Sequence, residues 1–147
     1  MTYRKATLFI TFFSLIVGQY TFGQNRKLSD EELNHSTASK IRWADTITCA
    51  QIDKWVKSDI KSKTIFLFLT GGIAPAVYPT DQKFEDKYGI YYFDFGDSSP
   101  DYKCVIKYND MVFDYLTKVY GKKWKREVRK DIIGLSEWKK QNRKIRN

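Results

Sequence analysis

The chain has 147 residues and a formal net charge of +9, with one histidine and two cysteines. This length suits a single domain with a modest core, and so few His and Cys residues argue against a zinc enzyme. Gly71-Gly72 lacks the Lys-Ser/Thr of a Walker phosphate loop, and the serines at 98 and 99 have no Gly-x-Ser-x-Gly context, so neither a nucleotide-binding loop nor a serine hydrolase is indicated.

The N-terminus has the layout of a secretory signal peptide. A basic start at residues 4–5 precedes an apolar run over residues 6–18, and Thr21 and Gly23 occupy the −3 and −1 positions of a cleavage site. A membrane anchor is the alternative, but the run is shorter than the ~20 residues that a spanning helix needs. We expect residues 1–23 to be removed, which leaves a secreted or periplasmic chain without a further transmembrane segment.

A polar stretch follows the expected cleavage site. We predict a flexible N-terminal segment over residues 24–44 and a single globular domain over residues 45–147. Ser29 and Glu32 have the spacing of a capping box, so a short helix is expected to begin at Ser29.

The first helix of the domain is predicted from another capping-box spacing, Thr48 to Gln51. An apolar stripe follows at helical intervals over about three turns, and polar residues, Asp59 among them, are expected on its outer face. The stripe consists of Ile52, Trp55, Val56 and Ile60.

The two cysteines, Cys49 and Cys104, both lie in the predicted domain. Exported proteins occupy an oxidising space, so an even pair predicts a disulfide. Two buried free thiols are the alternative, because separation along the chain does not fix the distance in space.

The centre of the fold is expected at residues 64–70, where five apolar residues follow one another before Gly71-Gly72. A short, continuous apolar run bounded by glycine is typical of a strand buried on both faces. A loop and a short helix capped by Thr80 or Asp81 and ending at Gly89 should follow. Residues 90–95 are β-branched and aromatic and predict a second strand. Strand, helix and strand favour a parallel pair, with an antiparallel pair as the alternative.

The longest helix is predicted to begin with Ser99 as its cap and Pro100 at its first position, and to end at Gly121. A stripe over about five turns supports it. The stripe consists of Cys104, Tyr108, Met111, Val112, Tyr115, Leu116 and Val119.

Two more helices are predicted at the C-terminus. Trp124, Val128 and Ile132 recur at four-residue intervals and indicate a helix that ends near Gly134, and Ser136 is expected to cap a last helix. These elements together predict a small α/β or α+β fold, in which three to five helices cover a sheet of two or three strands.

Three carboxylates lie where the two strands are expected to end together. Asp94, Asp97 and Asp101 offer the oxygen ligands that Mg²⁺ or Ca²⁺ prefers, at the sheet edge where open α/β folds bind ligands. A bound ion there would position a phosphate and activate a water, as in a metal-dependent hydrolase of phosphate or glycan groups. The alternative is local: Asp97 closes a turn, Asp101 favours a helix start and Asp94 faces solvent.

The positive charge is concentrated at the C-terminal end. Residues 118–147 include 12 basic and 3 acidic residues, whereas residues 24–117 include 12 and 14. The cations expected to form a docking surface are Lys122, Lys123, Lys125, Arg126, Arg129 and Lys130. A solvated helix face is the alternative. We favour a non-catalytic exported protein that binds an anionic envelope component or an acidic protein, because export argues against nucleic acid as the partner.

Overall fold

The computed structural model describes residues 27–43, 49–98 and 100–144. The described residues form a two-stranded sheet and seven α-helices, which confirms the predicted small α+β fold although the helices are more numerous than expected. The elements in chain order are α1 (Asp30–Asn34), α2 (Thr37–Trp43), α3 (Ile52–Ser62), β1 (Ile65–Leu69), α4 (Asp81–Tyr88), β2 (Ile90–Asp94), α5 (Tyr102–Tyr120), α6 (Trp124–Glu127) and α7 (Leu135–Lys144).

The sheet lies at the centre of the core, as predicted. All five residues of β1 are buried, and β1 pairs with β2 in parallel, with Ile65 opposite Ile90 and Leu69 opposite Asp94. The crossover between them contains α4, which ends at Gly89 in the left-handed conformation that glycine adopts easily. The carboxyl ends of β1 and β2 therefore lie side by side.

The N-terminal helices confirm one capping prediction and leave another outside the described residues. Ser29 and Glu32 form the capping box that begins α1. The predicted cap Thr48 lies outside the described residues, as does the predicted signal peptide over residues 1–23. The stripe of α3 faces the core as expected, with Ile52 and Val56 fully buried.

The prediction that Asp59 lies on the outer face of α3 is wrong. Only 7% of Asp59 is exposed, and its carboxylate accepts hydrogen bonds from Thr37 Oγ1 at 2.9 Å and from the Tyr108 hydroxyl at 2.6 Å. Burial raises the pKa of Asp59, while the two donors lower it. A buried carboxylate needs hydrogen-bond donors, and those of Asp59 come from Thr37 of α2 and Tyr108 of α5. Asp59 therefore links α3 to both helices.

The long helix α5 covers the sheet and ends at Gly121, as predicted. Its cap is Asp101, whose Oδ1 accepts from the backbone N–H of Lys103 at 2.9 Å, and its first residue is Tyr102. The predicted start, with Ser99 as cap and Pro100 at the first helical position, is therefore wrong. One member of the predicted stripe is wrong, since Val119 is 52% exposed. The buried side chain of Asn109 accepts a hydrogen bond from the N–H of Phe68 and donates one to its C=O. It therefore satisfies backbone groups of Phe68 on the edge of β1 that faces away from β2.

The predicted helix through Trp124, Val128 and Ile132 is wrong beyond its first turn. The one-turn helix α6 stops at Val128, which is extended, and Ile132 forms an antiparallel bridge with Leu69. The backbone N–H of Thr70 donates to the Asp131 carbonyl at 2.9 Å. The three apolar residues are still buried. Their four-residue spacing therefore reflects separate contacts with the core, not one helix face.

The last helix and the disulfide complete the core. α7 begins at Leu135, after Gly134, so Ser136 lies inside the helix and is not its cap. Its Trp138 packs against Phe113 and Trp124. Cys49 and Cys104 are bonded, with Cα atoms 4.9 Å apart, which confirms the predicted disulfide. None of the helices within the described ranges is long and apolar enough to cross a membrane.

Candidate functional site

The carboxyl edge of the sheet is closely packed. A Cβ atom built on Gly71 would lie only 2.4 Å from the carbonyl oxygen of Gly96, so the two strand ends touch where open α/β sheets bind ligands. The backbone N–H of Gly96 donates to Asp94 Oδ1 at 2.7 Å, and Arg42 of α2 donates to Ser98 Oγ at 3.1 Å. Backbone and local side-chain contacts thus occupy the junction between the strands.

The three predicted metal ligands have different surroundings. Asp94 bonds its own turn, Asp97 is exposed in that turn, and Asp101 caps α5. Among the described residues, one group of three potential metal ligands has its ligand atoms within 4.8 Å of one another: Asp101, Cys49 and Cys104. The two cysteine sulfurs of this group are joined in the disulfide. The local bonds of Asp94 and Asp101 favour the alternative interpretation, in which these acids serve the turn and the helix start, and the Asp94/Asp97/Asp101 metal site stays an untested prediction.

The basic segment between α5 and α7 separates into exposed cations and one buried cation. Lys122, Lys123, Arg126 and Lys130 are exposed, and Lys125 is half-buried. The side chain of Arg129 is only 7% exposed and forms ion pairs with Asp81 at 2.9 Å and with Asp131 at 2.5 Å. Arg129, predicted as part of the docking surface, therefore has a different role from its neighbours.

Both acidic residues of this segment are paired with cations. Glu127 accepts from Lys87 Nζ at 2.7 Å, and Lys87 holds the pKa of Glu127 below its usual value. Asp131 pairs with Arg129, which lowers the pKa of Asp131 in the same way. The remaining cations define what we call the basic surface: Lys122, Lys123, Lys125, Arg126 and Lys130.

The basic surface continues onto α7. Lys139 Nζ donates to the carbonyl oxygen of Lys125 at 3.2 Å, and the Lys125 ammonium lies 4.3 Å from the centre of the Trp138 ring. The pKa of Lys139 is lowered first by burial and then by the charges of Arg143 and Lys130. Lys139, Arg143 and Lys130 are therefore close enough for their charges to interact, and α7 extends the positive potential of the basic surface.

Arg129 anchors an exposed loop that the sequence patterns did not single out as functional. We call residues 71–80, between β1 and α4, the apolar loop; it contains no charged residue. Arg129 Nη1 donates to the Ala76 carbonyl at 2.7 Å, and its guanidinium lies 4.7 Å from the centre of the Tyr78 ring. Ile73 and Val77 in this loop are 95% and 83% exposed. An uncharged stretch with two prolines was a possible signal, but only the structure shows its exposure.

A second feature missed from the sequence is an acidic group between α5 and α7. Asp110 lies near Asp114 and Glu137, and burial, followed by the two negative charges, raises the pKa of Asp110 to about 6. Its Oδ1 is buried without a hydrogen-bond partner among the described residues. The indole N–H of Trp138 donates to Asp114 Oδ1 at 3.1 Å. The group lies at a helix contact, where a buried carboxylate costs stability.

Comparison of the chain with protein-family models, with curated proteins and with solved structures finds no match. Function is therefore inferred from the residues and their geometry alone.

Proposed function

We propose that this chain is an exported, non-catalytic binding protein that docks an anionic partner through the basic surface. The proposal rests chiefly on one observation: ion pairs with Lys87 and Arg129 neutralise both acids of the basic segment, while Lys122, Lys123, Arg126 and Lys130 stay exposed. A solvated helix face usually interleaves charges of both signs. Here the acids are compensated and the excess is positive, which favours an anionic surface as partner.

The disulfide supports the exported setting, because such bonds persist in oxidising compartments and are rare in the cytosol. The predicted signal peptide agrees with this setting. Intact mass of the protein recovered from the periplasm or the medium should show a chain that begins at Gln24. A recovered chain that still begins at Met1 would contradict the predicted cleavage.

A charge-removal variant tests the docking surface. The test variant changes Lys122, Lys123, Arg126 and Lys130 to Gln. The control variant changes Lys54, Lys57, Lys61 and Lys103 to Gln, which removes the same charge from exposed positions on α3 and α5. Arg129 is left intact because it holds the apolar loop through the Ala76 carbonyl and the Tyr78 ring. All eight positions are exposed, and Gln suits those that lie in helices, so both variants should keep the wild-type stability.

Retention on a dextran sulfate column, at low and at moderate salt, is the measurement. Since a cation near an anionic surface contributes about 1 kcal/mol, losing four of them removes about 4 kcal/mol, and the test variant should bind up to about 1000-fold more weakly at low salt. The control variant should elute close to the wild type, and added salt should weaken wild-type binding because exposed charges are screened. Equal losses in the two variants would show that only net charge matters, and the docking surface would be withdrawn.

A further inference from the structure

We propose that the anionic partner is a lipid bilayer, and that the apolar loop inserts into its interface beside the basic surface. This inference rests on the proposed function and adds a second contact to it. The observation behind it is the combination of highly exposed Ile73 and Val77 with a loop base held by Arg129.

The chemistry of the apolar loop suits the boundary between headgroups and acyl chains. The chain contains no charged residue between Lys63 and Asp81, and every residue from 72 to 80 is exposed. Isolated apolar side chains are common on protein surfaces, but a contiguous exposed apolar patch marks a contact with a protein or a membrane. Ile73 and Val77 lie four residues apart in one loop, so they can enter the same surface together.

The loop is held in place at its base. Arg129 bonds the carbonyl of Ala76, lies over the ring of Tyr78 and pairs with Asp81, and the Asp81 carboxylate accepts from the Tyr78 N–H at 2.9 Å. Three groups are thus fixed around one guanidinium. Because the base is already fixed, less conformational entropy is lost when the tip binds, so the apolar loop is suited to act as a binding element.

The positive charge near the loop favours an anionic bilayer over an uncharged apolar partner. Lys130 is exposed and follows Arg129 directly, and Thr70, just before the loop, is bonded to the Asp131 carbonyl. The basic surface therefore reaches the base of the apolar loop. Anionic headgroups attract the cations, and the layer beneath them accepts Ile73 and Val77, so one surface satisfies both features.

Vesicle binding of the exported chain tests the loop. In vesicles of phosphatidylglycerol and phosphatidylcholine, Ile73→Ser with Val77→Ser should weaken binding at least about tenfold, because two branched side chains lose their apolar burial. Val119→Ser is the matched control, since Val119 is also exposed but lies at the end of α5, where the Tyr120 hydroxyl donates to the Tyr88 carbonyl at the end of α4, just before β2. The control should bind like the wild type. Both changes lie on exposed side chains, so the fold should persist.

A probe reports insertion directly. The two native cysteines are bonded to each other, so Ile73→Cys introduces one reactive thiol for a nitrobenzoxadiazole label, with Val119→Cys as the control. The emission of the label at position 73 should shift to the blue on anionic vesicles, and further than at position 119, which lies close in the sequence to Lys122 of the basic surface but outside the apolar loop. No shift at position 73 would overturn the inference.

The two proposals fail in different ways. If the wild type is retained on dextran sulfate through the basic surface but does not bind anionic vesicles, the loop inference is wrong and the partner is a soluble or protein polyanion. If the serine variant binds vesicles like the wild type, the basic surface acts without the loop and the inference is again wrong. If the charge-removal variant binds dextran sulfate like the wild type, the proposed function fails.

Discussion

Replacing Asp110 with Asn should stabilise the protein at neutral pH. Burial and the neighbouring charges of Asp114 and Glu137 raise the pKa of Asp110 from 3.8 to about 6, and its Oδ1 has no hydrogen-bond partner among the described residues. Because the folded pKa lies above the unfolded one, ionised Asp110 favours the unfolded chain. The stability associated with protonated Asp110 is fully present below about pH 4, and it is lost as the pH rises through about 6 and the folded carboxyl group ionises.

The size of the gain follows from the two pKa values. One pKa unit corresponds to about 1.4 kcal/mol, so a difference of about two units sets a ceiling near 3 kcal/mol. Asp110 is only partly buried, and solvent screening lowers this figure, so we expect Asp110→Asn to add about 1–2 kcal/mol at neutral pH. The gain should shrink to a small fraction near pH 4 and vanish below about pH 3, where the carboxyl group is protonated in both states.

Urea unfolding, followed by the emission of the buried Trp124 and Trp138, measures this difference at about pH 4 and at about pH 7.5. Asp97→Asn is the control, because it removes the same charge from an exposed turn and should change stability little at either pH. If Asp110→Asn gives the same change at both pH values, or lowers stability at the higher pH, the assigned cost of the buried carboxylate is wrong.

Two further predictions concern the disulfide and the metal hypothesis. Changing Cys49 and Cys104 together to Ser should cost about 4 kcal/mol on the chain-entropy model, since the bond closes a loop with a sequence separation of 55; urea unfolding checks this, and a wild type that loses no stability on reduction would contradict it. For the metal hypothesis, calorimetry with Mg²⁺ and Ca²⁺ should give no heat for the wild type or for Asp97→Ala, because Asp94 and Asp101 already bond backbone N–H groups. Heat in the wild type that Asp97→Ala abolishes would restore the cation site.

Features fixed by short-range patterns could be predicted from the sequence. The continuous apolar run of β1 required burial on both faces, and the structure confirms it. Gly89 and Gly121 end their helices because their left-handed φ values suit glycine. The capping box at Ser29 was equally local. In each case the decisive residues lie within a few positions of one another.

Features that depend on distant partners could not be predicted in this way. Ile132 fits a helical stripe, but its bridge to Leu69 draws the backbone beside β1, and no local pattern records that competition. Asp59 looks like an outer-face residue until Thr37 and Tyr108 are placed against it. Arg129 was grouped with its basic neighbours because its partner Asp81 lies 48 positions away in the sequence, where no local pattern shows the pairing. Contacts between residues far apart in the sequence therefore account for these three differences between prediction and structure.

The disulfide also determines how the chain responds to a cut in the apolar loop. Cys49 and Cys104 close a covalent ring that contains α3, β1, the loop, α4 and β2. An exposed loop tip of small and apolar residues is a site where proteases cleave readily. A single cleavage there opens the ring but releases neither part, because the disulfide and the paired strands still join the two halves. The nicked protein therefore runs as one species on a non-reducing gel and as two after reduction.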